Sequence, residues 1–428
     1  MRLLERFGAA LIGVALTGTL VGPAAAQSQY GCRDLAGSQY LASVEGRDGV
    51  FFRISPDLSN MHPMTPETVA DLAELSQALA AKGTALIYAP VPTKPLALPR
   101  YLSPEAMDFG FDYSLATTVY LDDLGKLHEA GVRAVDLRAE MAPANAPLSF
   151  FRADPRLNAA GAQLAARAIA RAIAAVPGIE ALARNRFQTR PTGSANVESH
   201  SRLVRQQYCA EPLPEATTET FATTRASTGD GPQGVIALVG SAHSDTPEAN
   251  FAGFLAEETG IQVIQYSVPG GGAFAAISTY LTSAEFQQAR PSIIVWELPL
   301  AEAPGLSDDQ RMLELIAAAR GSCDLGLTVS REGGSRDRVN ADLSSVSDQH
   351  DKILFIDADG AQARRAVFTW HDNQGRSRSR EITRHPAQLP TGRFYVPMSG
   401  LWPEGARNVT VTLDATLGDN TEMRLCSR

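Results

Sequence analysis

The stretch VIALVGSAHS, residues 235–244, joins a short apolar run to a turn that begins at Gly240. An apolar run of this length, ended by glycine, is typical of a strand buried on both faces of a parallel sheet. The third residue of the turn is Ala242, between Ser241 and His243. Because a methyl group can neither attack a carbonyl nor accept a proton, the chemistry of this turn is the central question posed by the sequence.

Three further apolar runs and two helical patterns surround this stretch. Thr65-Pro66 supplies a helix cap and a proline at the first helical position, and Asn158 precedes an alanine-rich pattern over 159–175. The further runs are TALIYA at 84–89, IQVIQY at 261–266 and IIVW at 293–296. Strands that alternate with helices in this way predict an α/β fold with a doubly wound parallel sheet.

The pattern changes twice along the chain. Residues 191–232, rich in Thr, Ser, Pro and charge, predict a long excursion from the α/β core, tied down by Cys209. After about residue 321 the helical pattern fades. Strand-like runs then appear at 352–356, 366–370, 393–396 and 409–413, separated by turn residues such as Asp359-Gly360. We therefore expect an α/β domain over 27–320 and a β-sandwich over 321–428.

Composition excludes some classes of function. The 428 residues are 44% hydrophobic and 20% charged, with a formal net charge of -9. These values describe a globular protein and do not indicate a nucleic-acid partner. Residues 1–26 combine Arg2 and Arg6, an apolar segment and Ala24-Ala25-Ala26, which predicts a cleavable secretory signal peptide. The alternative is a retained anchor, but the apolar segment is shorter than the roughly 20 residues that span a bilayer.

The four cysteines suit the oxidising compartment to which a signal peptide leads. They are Cys32, Cys209, Cys323 and Cys426, and four cysteines allow three pairings. None has CxxC spacing, so disulfides are expected rather than zinc ligands. Pairing Cys32 with Cys209 and Cys323 with Cys426 would close one loop in each part of the chain, and we predict this arrangement.

Several of these segments together resemble a known family. They occur in a specific order and spacing: VEGRDGVFF at 44–52, PVPTK at 90–94, FDY at 111–113, FFRADPRL at 150–157, the Gly240 turn, NFAGF at 250–254 and WELP at 296–299. In these segments, its cysteine placement and its β-rich end, the chain resembles the periplasmic alginate O-acetylation proteins of the AlgX and AlgJ type. The resemblance implies an SGNH hydrolase-like domain followed by a carbohydrate-binding module.

The resemblance also implies a Ser-His-Asp triad, of which this chain keeps one member. In the family an Asp-Xaa-His-Trp segment supplies the carboxylate and the base, and a Gly-Xaa-Ser turn supplies the nucleophile. Carried onto this sequence, the aspartate is Asp154, the histidine position holds Arg156 and the serine position holds Ala242. An arginine cannot act as a base near neutral pH. Loss of the nucleophile or base costs about a millionfold in rate.

Neighbouring groups offer substitutes. Ser241 or Ser244, activated by His243, would give a rearranged site. Groups one or two residues apart in a tight turn rarely converge on one atom, so the alternative is that all three are ordinary turn residues. Arg156 has two readings as well: an ion pair with Asp154, or a contact to an anionic sugar.

Other candidate groups are less specific. Gly270-Gly271-Gly272 follows a strand and would supply backbone N–H groups to an oxyanion hole, or form a plain turn. Trp296-Glu297 ends a strand and either lines the cleft or packs in the core. The remaining histidines lack metal-ligand spacing, so we expect no metal and no cofactor.

The C-terminal part carries a basic, aromatic-rich region. Alternation in RSRSR places Arg376, Arg378 and Arg380 on one face of a strand. With Arg393, Trp370 and Tyr395 they form a candidate site for a uronic-acid polymer, because guanidinium groups bind carboxylates bidentately and aromatic rings stack on sugars. A solvated, charged edge strand is the alternative.

The sequence therefore predicts a periplasmic factor of exopolysaccharide biosynthesis. It would bind an acidic, alginate-like polymer, with an acetyltransferase site that has lost its serine and histidine. Its partners would be the polymer and other periplasmic export and acetylation proteins. The alternatives are an active O-acetyltransferase that uses Ser241 or Ser244 with His243, and an envelope esterase-like protein unconnected with alginate.

Overall fold

The computed structural model describes residues 28–62, 64–302, 304–306, 309–321 and 323–427. The predicted signal peptide, residues 1–26, lies outside the described residues. The first part of the chain contains nine strands and twelve α-helices among these residues. The strands are β1 Ser43–Glu45, β2 Phe51–Arg53, β3 Ala85–Val91, β4 Arg133–Ala134, β5 Arg186–Asn196, β6 Thr217–Ser227, β7 Val235–Gly240, β8 Gln262–Ser267 and β9 Ile293–Pro299.

The helices connect these strands and cover the sheet. They are α1 Ile54–Asp57, α2 Pro66–Ala80, α3 Lys94–Ala97, α4 Pro104–Asp108, α5 Tyr113–Glu129, α6 Arg138–Met141, α7 Ala159–Ala174, α8 His200–Gln206, α9 Phe251–Thr259, α10 Ala275–Thr282, α11 Ala284–Gln288 and α12 Asp309–Arg320. Two predicted caps are present: Thr65 accepts from the Thr68 amide before α2, and Asn158 accepts from the Gly161 amide before α7. Each cap satisfies an amide that the helix itself leaves unpaired.

A five-stranded sheet forms the centre of this part, with the order β4-β3-β9-β7-β8 and parallel pairing throughout. The four runs that predicted buried strands are β3, β7, β8 and β9. Three of them are almost wholly buried, whereas β8 lies at one edge and is half-exposed. The predicted doubly wound parallel sheet is confirmed, and its carboxyl edge carries the loops discussed below.

The excursion at 191–232 has structure that the sequence did not reveal. β5 and β6 pair as an antiparallel ribbon that is mostly exposed, and α8 connects the two strands. Cys209 follows α8 and forms a disulfide with Cys32, as predicted. The ribbon was missed because both of its faces carry polar residues, which leaves no period-two pattern to recognise.

The second part of the chain is a β-sandwich of two antiparallel sheets, as predicted. One sheet has the order β10-β18-β13-β16 and the other β11-β12-β17-β14-β15. Their facing sides enclose a separate hydrophobic core that contains Phe368, Trp370 and Phe394. The strands are β10 Leu325–Leu327, β11 Val329–Ser330, β12 Arg338–Asp342, β13 Lys352–Asp357, β14 Arg365–His371, β15 Ser377–Thr383, β16 Arg393–Pro397, β17 Asn408–Leu413 and β18 Glu422–Ser427.

The two parts are joined through α12 and the outer face of the four-stranded sheet. Arg384 donates to Glu314 of α12 at 2.8 Å, and both side chains are almost completely buried. The predicted disulfide between Cys323 and Cys426 links the end of α12 to β18. Since removing one partner of a buried ion pair costs about 3–5 kcal/mol, this contact fixes the sandwich against the α/β part. Across the described residues, no helix is both long and apolar enough for a bilayer.

Candidate functional site

The turn after β7 is held by a carboxylate. Ser241 and Ser244 both donate hydroxyl hydrogen bonds to Glu297 at 2.8 Å, and the Ser241 amide donates to the same side chain at 2.9 Å. Glu297 lies at the end of β9, the strand that pairs with β7, and is 1% exposed. Burial raises the pKa of Glu297, and the serine hydrogen bonds oppose that shift. The two predicted substitute hydroxyls are therefore committed to a carboxylate.

Gly240 makes this arrangement possible. A Cβ atom at this position would collide with the Ser244 hydroxyl and with the Glu297 carboxylate. Glycine is required at position 240 for space: without a side chain there, the Ser244 hydroxyl and the Glu297 carboxylate can meet over the backbone. Gly240 therefore leaves the space in which the Ser244 hydroxyl contacts the Glu297 carboxylate.

Asp154 and Arg156 form an ion pair. Arg156 donates from Nε to Oδ1 at 2.9 Å and from Nη2 to Oδ2 at 3.0 Å, and Ser199 donates to Oδ2 at 2.7 Å. Burial works against the charged form of Asp154, but the Arg156 and Ser199 hydrogen bonds outweigh it and lower its pKa. Of the two readings of Arg156 left open by the sequence, the ion pair is the one present.

His243 lies beside this pair but faces other partners. Its Nδ1 accepts from the Leu157 amide at 3.2 Å, and its ring meets Phe150 edge-on at 6.0 Å. Burial lowers the pKa of His243 to about 3. A neutral ring that accepts at Nδ1 carries its proton on Nε2, so Nδ1 is unavailable as a base while this bond holds.

The cleft next to His243 is small. It is lined by Arg53, Asp57, Thr93, Lys94, Phe150 and His243, together with apolar residues, and its volume is about 10 Å³. That is room for about one water molecule. In this conformation a sugar ring does not fit between His243 and Arg53.

A buried lysine supports the loop that carries Asp154. Lys94 Nζ donates to the backbone oxygens of Phe51, Phe151, Arg152 and Asp154 at 2.8–3.2 Å. Burial lowers the pKa of Lys94 to about 7. The PVPTK segment therefore ends in a side chain that ties β2 to the 150–154 loop, a role that the sequence alone did not predict.

The other candidates at this edge have structural contacts. Trp296 is 1% exposed, packs edge-on against Tyr88 and donates from Nε1 to the Ala273 carbonyl at 3.3 Å. Gly270 and Gly272 both have positive φ, 69° and 68°, in the turn after β8. The glycines thus satisfy the backbone geometry of a turn.

The predicted arginine strip, Arg376, Arg378 and Arg380, lies at an edge of the sandwich. Its strand, β15, is the last in its sheet. Arg376 and Arg378 lie over Trp402, with guanidinium carbons 5.4 and 5.2 Å from the ring centre. Arg376 pairs with Asp372 and Glu404. Arg378 and Arg380 donate to backbone oxygens of the loop after β16 and have no acidic partner within the described part of the chain.

The remaining predicted binding residues lie elsewhere. Trp370 is fully buried in the sandwich core, beneath Arg380. Arg393 and Tyr395 are on β16, in the other sheet, where Arg393 pairs with Asp357 at 2.7 Å. The six predicted residues therefore form a strip of three arginines, a separate pair on β16 and the buried Trp370. The aromatic ring beside Arg376 and Arg378 is Trp402. Trp402 lies in the loop between β16 and β17. It was missed because it belongs to none of the strand-like runs in the sequence.

Across the described ranges, no three His, Cys, Asp or Glu side chains are grouped so that they could hold a metal ion.

The fold and this edge of the sheet can now be compared with known proteins. The family model described as "SGNH hydrolase-like domain, acetyltransferase AlgX" matches residues 44–300, more than half of the chain. The chain belongs to this family. The SGNH-like fold and the AlgX and AlgJ resemblance predicted from the sequence are thereby confirmed.

Two curated relatives show how far the similarity extends. The alginate biosynthesis protein AlgX of Pseudomonas aeruginosa is 30% identical over 287 residues, which cover 65% of this chain and 60% of that protein. The probable alginate O-acetylase AlgJ of Pseudomonas putida is 28% identical over 257 residues, 56% of this chain and 64% of that protein. These alignments span less than two thirds of each relative.

Two solved structures extend the comparison. The structure of Pseudomonas aeruginosa AlgX covers 94% of this chain and 98% of its own, with a TM-score of 0.76 at 23% identity. At that identity the match shows the fold, and it includes the sandwich. The O-acetyltransferase domain of Pseudomonas putida AlgJ covers 64% of this chain and 98% of its own, with a TM-score of 0.51 at 26% identity.

Proposed function

We propose that this chain is a periplasmic factor of alginate-like exopolysaccharide biosynthesis that binds the polymer and does not itself transfer acetyl groups. The predicted signal peptide and the two disulfides support a periplasmic location. Family membership supports a role in alginate biosynthesis. The acidic polymer is the proposed ligand, and other periplasmic export and acetylation proteins are the proposed partners.

One observation carries the non-catalytic part of the proposal. The residues at the two missing triad positions, Arg156 and Ala242, leave Asp154 without a base to orient. Arg156 instead holds that carboxylate through two hydrogen bonds. Ser241 and Ser244 donate to Glu297, and His243 Nδ1 is occupied by a backbone amide. A serine needs an imidazole to take its proton before it can attack an ester, and neither serine has one as a partner.

The arginine strip supports the polymer-binding part. Arg378 lies over the ring of Trp402 and Arg380 over that of Trp370, and neither forms an ion pair with a carboxylate of the described residues. A uronic-acid polymer presents a carboxylate on every sugar, and guanidinium groups bind carboxylates through charge-assisted hydrogen bonds. On this proposal the sandwich is a carbohydrate-binding module, and residues 27–320 form the SGNH-like domain.

An acyl-transfer assay tests the first part. We expect purified protein to hydrolyse p-nitrophenyl acetate no faster than its Ser241→Ala, Ser244→Ala and His243→Asn variants. A fluorophosphonate probe for activated serines should leave the chain unlabelled. Activity that any of these three substitutions abolishes would establish the rearranged acetyltransferase instead.

Calorimetric titration with oligomannuronate tests the second part. The double variant Arg378→Ala/Arg380→Ala should bind at least about tenfold more weakly, because each charged hydrogen bond contributes about 1.5–3 kcal/mol. Arg365→Ala is the matched control: it removes an arginine of the same module that is already paired with Glu381. Equal losses in both variants would contradict a specific role of the strip.

A further inference from the structure

A cleft at the junction of the two parts is much larger than the space beside His243. Its volume is about 300 Å³, within the range of small-molecule binding sites. One wall is formed by α11 and the end of α12, and the other by the outer face of the four-stranded sheet. We call it the junction cleft. Its lining residues are Gln287, Gly321, Cys323, Asp324, Phe355, Asp357, Arg393, Tyr395, Glu422 and Arg424.

The junction cleft lies at the amino edge of the parallel sheet. Gln287 and Gly321 are next to the segment that enters β9, where Ser292 accepts from the Ala85 amide at the start of β3. Ala242 and Glu297 lie at the opposite, carboxyl edge. The junction cleft is therefore separate from the triad positions.

The Tyr395 hydroxyl supplies one donor and acceptor to this cleft. Tyr395 lines the cleft and is 2% exposed. Burial raises the pKa of Tyr395, which keeps the phenol protonated. Its ring packs against Phe355 at 4.6 Å. A ligand that accepts from this hydroxyl would gain one hydrogen bond, a net contribution of about 0.5–1.5 kcal/mol.

The other polar groups of the cleft include both donors and acceptors. Arg393 pairs with Asp357 at 2.7 Å, and Arg424 pairs with Glu422 at 2.8 Å. The Gln287 side-chain amide donates to the Leu281 and Ala318 carbonyls, which leaves its oxygen as an acceptor. A sugar hydroxyl both donates and accepts, so it matches such neighbouring pairs. The cleft is lined by three carboxylates and two guanidinium groups, a balance that disfavours the binding of an anion.

The walls are fixed before any ligand arrives. The disulfide between Cys323 and Cys426 connects them, and the buried contact between Arg384 and Glu314 holds the same interface. A preformed site loses less conformational freedom on binding than a mobile one. We propose that the junction cleft binds a neutral, hydroxyl-rich saccharide, separately from the acidic polymer assigned to the arginine strip.

Titration of the full chain with neutral mannohexaose tests this proposal. We expect saturable binding that Tyr395→Phe weakens about fivefold, through the loss of one hydrogen bond. Arg424→Gln should weaken it by about tenfold, through the loss of a charged hydrogen-bond donor. The Arg424 side chain is half-exposed, so its loss does not endanger folding. Arg365→Gln is the matched control, an equally exposed paired arginine outside the cleft, and should leave binding unchanged.

Three results would overturn the proposal: no saturable binding of mannohexaose, binding unaffected by both cleft variants, or displacement of mannohexaose by oligomannuronate. The test is independent of the polymer proposal. If that proposal fails, Arg378→Ala/Arg380→Ala will leave oligomannuronate binding unchanged, whatever the mannohexaose titrations give.

Discussion

The carboxyl edge of the parallel sheet, around Asp154 and Glu297, and the arginine strip both concentrate charged residues, but they use them differently. At the carboxyl edge, Asp154 is paired with Arg156, and Glu297 accepts from two serines and an amide. The cleft beside His243 at this edge admits about one water molecule. In the strip, Arg378 and Arg380 contact backbone oxygens and aromatic rings and form no ion pair with the part of the chain that the structure describes.

The difference separates charged residues that stabilise the fold from charged residues that are available to bind a ligand. Buried charges whose partners belong to the same chain stabilise the fold and are costly to disturb. Half-exposed cations without acidic partners contribute little to folding and remain available to a ligand. Three substitutions test this contrast, in decreasing order of expected effect.

The largest effect is expected at Glu297. Glu297→Ala leaves the Ser241 hydroxyl, the Ser241 amide and the Ser244 hydroxyl without their acceptor, which should lower the free energy of unfolding by about 3 kcal/mol. Urea denaturation measures the change. Glu381→Ala, which breaks the exposed pair with Arg365, should leave the midpoint unchanged. Similar midpoints for the two variants would remove the distinction between buried and exposed carboxylates.

A smaller effect, dependent on pH, is expected at His243. Burial lowers the pKa of His243 to about 3 in the folded chain, below about 6.5 in the unfolded chain. Between these values the unfolded state binds more protons, so stability falls as the pH is lowered. The loss from this group between pH 6.5 and 5 is about 2 kcal/mol.

Comparison with His243→Asn isolates this contribution, because asparagine does not titrate and its carbonyl still accepts from the Leu157 amide. In denaturation curves at a series of pH values, the wild type should lose about 2 kcal/mol of stability relative to the variant between pH 6.5 and 5. Curves that stay parallel down to pH 4 would show that the imidazole is solvated in the native state.

The smallest effect on stability is expected in the strip. Arg378→Ala/Arg380→Ala should lower the free energy of unfolding by less than about 1 kcal/mol, because exposed charged groups contribute little. The same double variant is expected to lose most of its oligomannuronate affinity. A stability loss comparable to that of Glu297→Ala would instead identify the strip as a structural closure of the sandwich edge.

Much of the fold could be predicted because local patterns decide it. The strands β3, β7 and β9 are short apolar runs, as expected of strands buried on both faces of a sheet. Thr65 and Asn158 mark helix starts because their side chains cap the first turn. The disulfide pairing followed from the division of the chain into two parts. The exposed ribbon of β5 and β6 was not predictable, since it lacks a buried face.

The candidate site residues Asp154, Arg156 and Ala242 were predicted by resemblance, and their roles stay predictions. What the sequence could not give was the partner of each group. Glu297 is 56 residues from Ser241, and Lys94 is 60 residues from Asp154. Such pairs depend on the order of strands in the sheet, which local patterns do not encode.

The contact between Gly240 and Glu297 constrains how this lineage can change. As long as a carboxylate occupies position 297, residue 240 has no space for a methyl group, and the serines that bind that carboxylate depend on the same opening. A mutational path toward any larger residue at 240 must first shorten both residue 244 and residue 297. Positions 240, 244 and 297 are therefore expected to covary, with glycine retained wherever the serine and the acid are retained.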